Sequence, residues 1–127
     1  MPAIKKFNQY ERSKILTASS AELVLLLYDG FIKFCNLGVM AINKKDYTEA
    51  NKNIQKAEKI IVELSSTLDD RYEVARDFNN IYTYVLRRLH DANIKKDETI
   101  LKECIVHIKS LRETWKQVMK QCGGGKV

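Results

Sequence analysis

The side chains able to do chemistry are few in this 127-residue sequence, and their spacing does not assemble a reaction centre. Two histidines are present, His90 and His107, and Glu103 lies four residues before His107 on the same helix face. Metal sites in helical bundles draw carboxylates and histidines from several helices, often as Glu-x-x-His, and that motif is absent here. The sequence therefore predicts a surface pair between Glu103 and His107, and no metal site.

Nucleophilic catalysis is not expected either. Ser19 and Ser20 have no histidine nearby in sequence that would activate a hydroxyl group. A Cys-x-x-Cys pair and a glycine-rich phosphate loop are both missing. The three cysteines, Cys35, Cys104 and Cys122, are odd in number and far apart, which is typical of reduced thiols in a cytosolic protein. We expect no enzymatic activity, no catalytic residue and no cofactor.

Charge and hydropathy favour a soluble domain. The formal net charge is +6, and a basic surface attracts nucleic acid, acidic membranes or acidic proteins. Arg87-Arg88, one turn after Tyr82 and Tyr84, leaves nucleic-acid binding as a less favoured alternative, although no helix-turn-helix, zinc-finger or RNA-recognition signature is present. No signal peptide and no membrane insertion are expected, because the longest apolar run, residues 23–28, is far shorter than the roughly 18 residues of a membrane span.

Long helices must position these residues. The only proline is Pro2, and three of the five glycines fall in residues 123–125, so little between them interrupts a helix. Cap residues predict helix starts at Ser19, Asp46, Asp70 and Asp97. The first three are each followed by a glutamate three positions later, which is the spacing of a capping box. We expect the first helix to end near Asn43, the third near Asn93 and the fourth at the glycines.

Apolar residues spaced three and four apart define the core faces of the last three helices. They are Ala50, Ile54, Ala57, Ile61, Leu64 and Leu68, then Val74, Phe78, Ile81, Val85, Leu89 and Ala92, then Leu101, Cys104, Ile108, Leu111, Trp115, Val118 and Cys122. The predicted fold is all-α: an antiparallel four-helix bundle over residues 19–122. An N-terminal arm or short extra helix precedes it at residues 1–18, and a flexible tail follows at residues 123–127.

The first helix has more apolar surface than one core contact requires. At about 100° per residue, one apolar stripe contains Leu23, Leu27, Phe34 and Ala41, and a second, almost opposite, contains Leu25, Tyr28, Ile32, Cys35, Val39 and Ile42. The apolar arc covers roughly 220°, against the 100° or so that a surface helix needs. Two interpretations stay open: a deeply buried helix with two neighbours, or a helix that also contacts the arm or a partner.

The candidate partner-binding residues follow from this arc and from aromatic or charged positions elsewhere. They are Tyr10, Leu25, Tyr28, Ile32, Tyr82, Leu86 and Arg88. Ordinary core packing is the alternative for the apolar members, and a surface role is the alternative for Arg88. Ile4, Phe7 and Tyr10 form a candidate regulatory arm that covers part of the binding surface when the partner is absent.

The sequence resembles the bacterial flagellar secretion chaperones that bind flagellin. The most specific match is TASSAEL at residues 17–23 followed by LLYDG at residues 26–30. Further matches are Ala57, Ile60, Ile61, Leu64, Tyr82, Arg88, Leu89, Ala92, Asn93, Arg112 and Trp115. Ser20 departs from the family, which commonly has proline there; at the first helical position proline is favoured but dispensable.

The resemblance implies a cytoplasmic helical bundle that binds the C-terminal segment of newly made flagellin. Holding that segment would prevent premature filament polymerisation before secretion, without ATP or a metal. The resemblance also implies contacts with other components of the flagellar export system. A generic helical adaptor for some other protein remains the main alternative.

Overall fold

The computed structural model describes residues 20–69 and 71–121, and all regular structure within them is helical. The helices are α1 (Ser20–Asn43), α2 (Tyr47–Ser66), α3 (Glu73–Lys95) and α4 (Glu98–Gln121). Helix α1 packs against α2 and α4, and α3 packs against the same two, so α1 and α3 occupy opposite corners. Short connections reverse the chain each time, which confirms the antiparallel four-helix bundle. The arm at residues 1–18 and the tail at residues 123–127 lie outside the described residues.

Two of the expected helix caps form as the sequence predicts. The Asp46 carboxylate accepts a hydrogen bond from the Glu49 backbone N–H at 3.1 Å. The Asp97 carboxylate accepts one from the Thr99 backbone N–H at 2.8 Å. Each satisfies a donor that the first helical turn leaves without an intrahelical acceptor.

Helix α3 begins later than predicted. The expected start at Asp70 is wrong, because the helix starts at Glu73 with Tyr72 as an N-cap that makes no side-chain hydrogen bond. The preceding carboxylate of Asp69 accepts a hydrogen bond from the Arg71 backbone N–H at 3.1 Å and pairs with the Arg71 guanidinium. This local side-chain hydrogen bond between Asp69 and Arg71 stabilises a turn, so the helix begins after it.

The end of α3 also differs from the prediction. The helix continues past Asn93 to Lys95, and Lys96, with φ 49° and ψ 48°, is the left-handed cap residue. Asn93 is engaged elsewhere: its amide donates to the Asn51 side-chain oxygen at 2.7 Å, which joins α3 to α2. The Lys96 ammonium donates to the Asn93 backbone carbonyl at 2.6 Å.

The core follows the predicted stripes with a small rotation on α3. On α2 and α4 every predicted core residue within the described helices is buried except Val118, which is half-buried; Leu68 lies past the end of α2 and is half-buried. On α3, Val74 and Ile81 are only half-buried, whereas Ala75 and Tyr82 are completely buried. The ring of Tyr82 reaches the centre of the bundle because its hydroxyl finds a hydrogen-bond partner there.

Helix α1 is the most apolar element. By length and composition alone, Ala21–Asn43 could cross a membrane. Several of these side chains instead fill the core, among them Val24, Tyr28, Phe31 and Cys35. Packing against both α2 and α4 therefore accounts for much of the wide apolar arc.

Candidate partner-binding surface

The solvent-facing strip of α1 lies where the helical wheel predicts. Asp29, Lys33, Asn36 and Met40 are exposed. The Asp29 carboxylate accepts a hydrogen bond from Arg112 Nε of α4 at 3.0 Å, which fixes this side of α1 against α4.

Two of the candidate binding residues flank this ion pair. Leu25 and Ile32 lie about one turn before and after Asp29, and both are half-buried while packing against the core. The seam between α1 and α4 therefore exposes part of the second apolar stripe.

Two other candidates, Tyr28 and Tyr82, lie inside the bundle. Both are fully buried, and their hydroxyl oxygens are 2.6 Å apart. Burial, followed by the neighbouring Tyr82, raises the pKa of Tyr28 well above its ordinary value. Burial also raises the pKa of Tyr82 to about 12, although its hydrogen bond to Tyr28 opposes that change. Both hydroxyls are thus neutral near pH 7, and neither ring is accessible to a partner in this conformation.

Leu86 lies in a different place, at an open groove between α2 and α3. The groove has a volume of about 600 Å³. Its lining residues are Gln55, Glu58, Lys59, Val62, Glu63, Leu86 and His90. Val62 is 58% exposed, although it belongs to the otherwise polar outer face of α2. Together with the half-buried Leu86 it gives the groove an accessible apolar floor.

The Glu58 carboxylate lines one wall of this groove. Glu58 Oε2 is 3.1 Å from His90 Nδ1, yet that oxygen is buried and has no hydrogen-bond partner of suitable geometry. Burial raises the pKa of Glu58, and the nearby His90 partly offsets this. The site thus contains an acceptor that the protein itself satisfies poorly.

Arg88 lies on the opposite flank of α3, where it joins α3 to α4. Its guanidinium pairs with Glu103 and with Asp91, each at 3.1 Å. Glu103 also accepts a hydrogen bond from the Tyr84 hydroxyl at 2.7 Å, which is the largest of several causes that lower its pKa. His107 Nε2 lies 3.5 Å from Glu103, so the predicted surface pair is confirmed.

The predicted binding residues therefore do not form one cluster. Leu25 and Ile32 lie on the α1–α4 seam, Leu86 lies in the α2–α3 groove, and Arg88 lies on the α3–α4 edge. The arm residues Ile4, Phe7 and Tyr10 lie outside the described residues. Three residues of the groove were not among the predicted binding residues: Val62, Glu58 and His90. The apolar Val62 on the polar face of α2 was the available signal in the sequence.

A compact four-helix bundle with apolar residues along one seam and an open groove beside another defines a small helical binding protein. Within residues 20–69 and 71–121, no group of three or more histidine, cysteine, aspartate or glutamate side chains is placed to hold a metal ion. The family model of the flagellar protein FliS matches residues 3–122. The chain belongs to this family, which confirms the resemblance found in the sequence.

Several curated relatives support the assignment, and all three described here are flagellar secretion chaperones named FliS. The protein of Bacillus subtilis (strain 168) is 37% identical over 114 residues, covering 90% of this chain and 86% of the relative. That of Campylobacter jejuni is 30% identical and covers 88% of this chain and 89% of the relative. That of Salmonella typhimurium is 28% identical and covers 91% of this chain and 88% of the relative.

Proposed function

We propose that this protein is a cytosolic export chaperone that binds the C-terminal segment of flagellin and prevents premature filament polymerisation before secretion. The observation that carries the proposal is the family match across residues 3–122, which includes the whole bundle. The role is one of binding and needs no catalytic group. Contacts with other components of the flagellar export system belong to the same proposal.

The accessible apolar residues suit a partner that becomes ordered on binding. Ordering a flexible segment costs conformational entropy, so the apolar contact must be extensive. Leu25 and Ile32 on the α1–α4 seam and Leu86 in the α2–α3 groove offer separated contact points that one extended chain with helical stretches could span. Tyr28 and Tyr82 would then support the site from inside the core, and Arg88 would steer or register the partner.

The arm has a regulatory role in this proposal. Ile4, Phe7 and Tyr10 would cover part of the apolar surface of α1 in the absence of flagellin. Deleting residues 1–15 should then increase the fluorescence of a hydrophobic dye without weakening flagellin binding. A sharp loss of affinity would mean instead that the arm belongs to the binding site or to the core.

The experiment that tests the function is calorimetric titration of the full chain with a peptide of the flagellin C-terminal segment. Ile32→Ser removes apolar contact area from the α1–α4 seam and should weaken binding about tenfold, the equivalent of roughly 1.4 kcal/mol. Met40→Ser is the matched control, because Met40 is 52% exposed on the polar strip of the same helix. Light scattering should also show that the wild-type chain delays flagellin polymerisation.

The two outcomes separate this function from the adaptor alternative. No binding of the peptide by the wild-type chain would favour an adaptor for a different protein. Equal losses of peptide affinity for Ile32→Ser and Met40→Ser would mean that the partner binds elsewhere than at the α1–α4 seam.

A further inference from the structure

We propose that the α2–α3 groove is a subsite for a basic amphipathic stretch of the partner. An aliphatic side chain would contact Val62 and Leu86, and a lysine or arginine one turn away would donate to the Glu58 carboxylate. This inference rests on the proposed function and specifies the chemistry of the partner segment that the groove accepts.

The apolar half of the subsite is set by Val62 and Leu86. They come from adjacent helices and both line the groove. Val62 is 58% exposed, so its side chain is largely in water when the groove is empty. A volume of about 600 Å³ lies within the range of sites that bind ligands, and it exceeds what a single side chain fills. Covering this floor with an aliphatic side chain would remove apolar surface from water.

The charged half of the subsite is set by Glu58. Its side chain is only 16% exposed, and Oε2 is buried without a hydrogen bond. The neighbouring His90 lies at ion-pair distance, but its side chain is 62% exposed and it is charged only when protonated. A largely desolvated carboxylate interacts strongly with a cation, and the accessible part of the Glu58 side chain lines the groove.

Charge complementarity selects a basic partner stretch here, although the whole chain is basic. The net charge is +6, yet the groove is lined by two carboxylates, Glu58 and Glu63, against the single ammonium of Lys59. Other charged side chains at the helix seams are already paired, as Arg88 is with Glu103 and Arg112 is with Asp29. The Glu58 carboxylate is therefore the group in the groove that an added cation would stabilise.

The test compares pairs of variants of the full chain in titrations with the flagellin C-terminal peptide. Glu58→Gln removes the charge at the groove, and Glu113→Gln is its control, because Glu113 is 69% exposed on α4 and changes the net charge equally. Val62→Asn removes the apolar floor, and Val106→Asn is its control, because Val106 is 66% exposed on α4. All four positions are on helices, and circular dichroism checks that each variant is folded.

We expect Glu58→Gln to weaken binding about tenfold, as is typical for loss of one charge-assisted hydrogen bond, and Glu113→Gln to leave it unchanged. In a series of peptides that replace each lysine or arginine in turn by methionine, one peptide should bind wild type and Glu58→Gln equally well. Equal affinities of the Glu58 and Glu113 variants, or of the Val62 and Val106 variants, would overturn the subsite while leaving the proposed function intact. If the wild-type chain does not bind the peptide at all, the proposed function and the subsite both fail.

Discussion

The hydroxyl oxygens of Tyr28 and Tyr82 meet at 2.6 Å in the centre of the bundle and join two helices that do not lie side by side. The rings are tilted by 55° with centroids 6.5 Å apart, and the Phe78 ring packs edge-on against Tyr82. One hydroxyl donates and the other accepts, so each satisfies the other where both side chains are fully buried. A polar pair in this position fixes the register of α1 against α3, which apolar packing alone specifies less strictly.

Removing both hydroxyls of this pair should cost less stability than the sum of the two single removals. Tyr28→Phe or Tyr82→Phe leaves the other hydroxyl buried without its partner, which should lower the free energy of unfolding by about 1–3 kcal/mol. The double variant leaves no orphaned hydroxyl and should lose less than the sum of the two. Urea unfolding measures all three, with Tyr47→Phe as the exposed control. Additive losses would show that the hydrogen bond does not couple α1 to α3.

The same pair should make the protein sensitive to alkaline pH. Burial raises the pKa of Tyr82 to about 12, and the pKa of Tyr28 is raised further, whereas an unfolded tyrosine titrates near pH 10. From about pH 10 upward the unfolded chain loses protons that the folded chain keeps, so stability should fall with rising pH. The slope of stability against pH between about 10 and 12 should be shallower in the double phenylalanine variant. Equal slopes in wild type and the double variant would mean that other ionisable groups cause the loss of stability at alkaline pH.

Gly38 is predicted to be intolerant of branched side chains. A Cβ atom at this position would lie 3.1 Å from Leu101 Cδ1 and 3.5 Å from Ile54 Cγ1, where α1 closely approaches α4 and α2. Gly38→Val should lower the free energy of unfolding by about 1–3 kcal/mol through overpacking. Gly38→Ala should stay within about 0.5 kcal/mol of wild type, because a gain in helix propensity offsets the tight methyl contact.

The control for this prediction is Asn36→Val. Asn36 is exposed on the same helix, so its replacement introduces a β-branched side chain without the packing contact. Thermal unfolding of the Gly38 and Asn36 variants checks both effects. Similar melting temperatures for Gly38→Val and Asn36→Val would mean that the helices move apart easily at this point.

The two buried thiols should be inert in the folded protein. Burial, followed by the nearby Cys104, raises the pKa of Cys35, and burial is the largest cause that raises the pKa of Cys104 to about 12. The thiolate is the reactive form, so labelling of either cysteine should require opening of the bundle. A chromogenic disulfide reagent applied to a Cys122→Ser variant should react at the rate of global unfolding. Rapid reaction in the absence of denaturant would reveal a local opening of α1 from α4.

Features that depend on local periodicity could be predicted from the sequence. The cap at Asp46, the end of α1 at Asn43 and the exposed strip through Asp29 all arise from neighbours within one or two turns. The start of α3 could not, because the turn held by Asp69 and Arg71 competes with the expected cap.

The internal organisation of the candidate site was harder to predict, because it depends on contacts between distant residues. The Tyr28–Tyr82 bond joins residues 54 positions apart. Glu58 and His90 lie on different helices and form a groove wall only when α2 and α3 pack together. On their own helices, Glu58 and His90 each resemble an ordinary polar surface position. The family was nevertheless predictable from the sequence, since the motifs that identify it are local.

Trp115 is the only tryptophan in the chain. Its indole N–H donates to the backbone carbonyl of Ala21 at 3.2 Å, and its ring packs 5.9 Å from that of Phe78. Ala21 is the second residue of α1, which begins directly after residues 1–19. The protein therefore contains an intrinsic fluorophore at the point where these residues join the bundle. Changes in tryptophan emission would follow events at this junction in unlabelled protein, in real time and during binding itself.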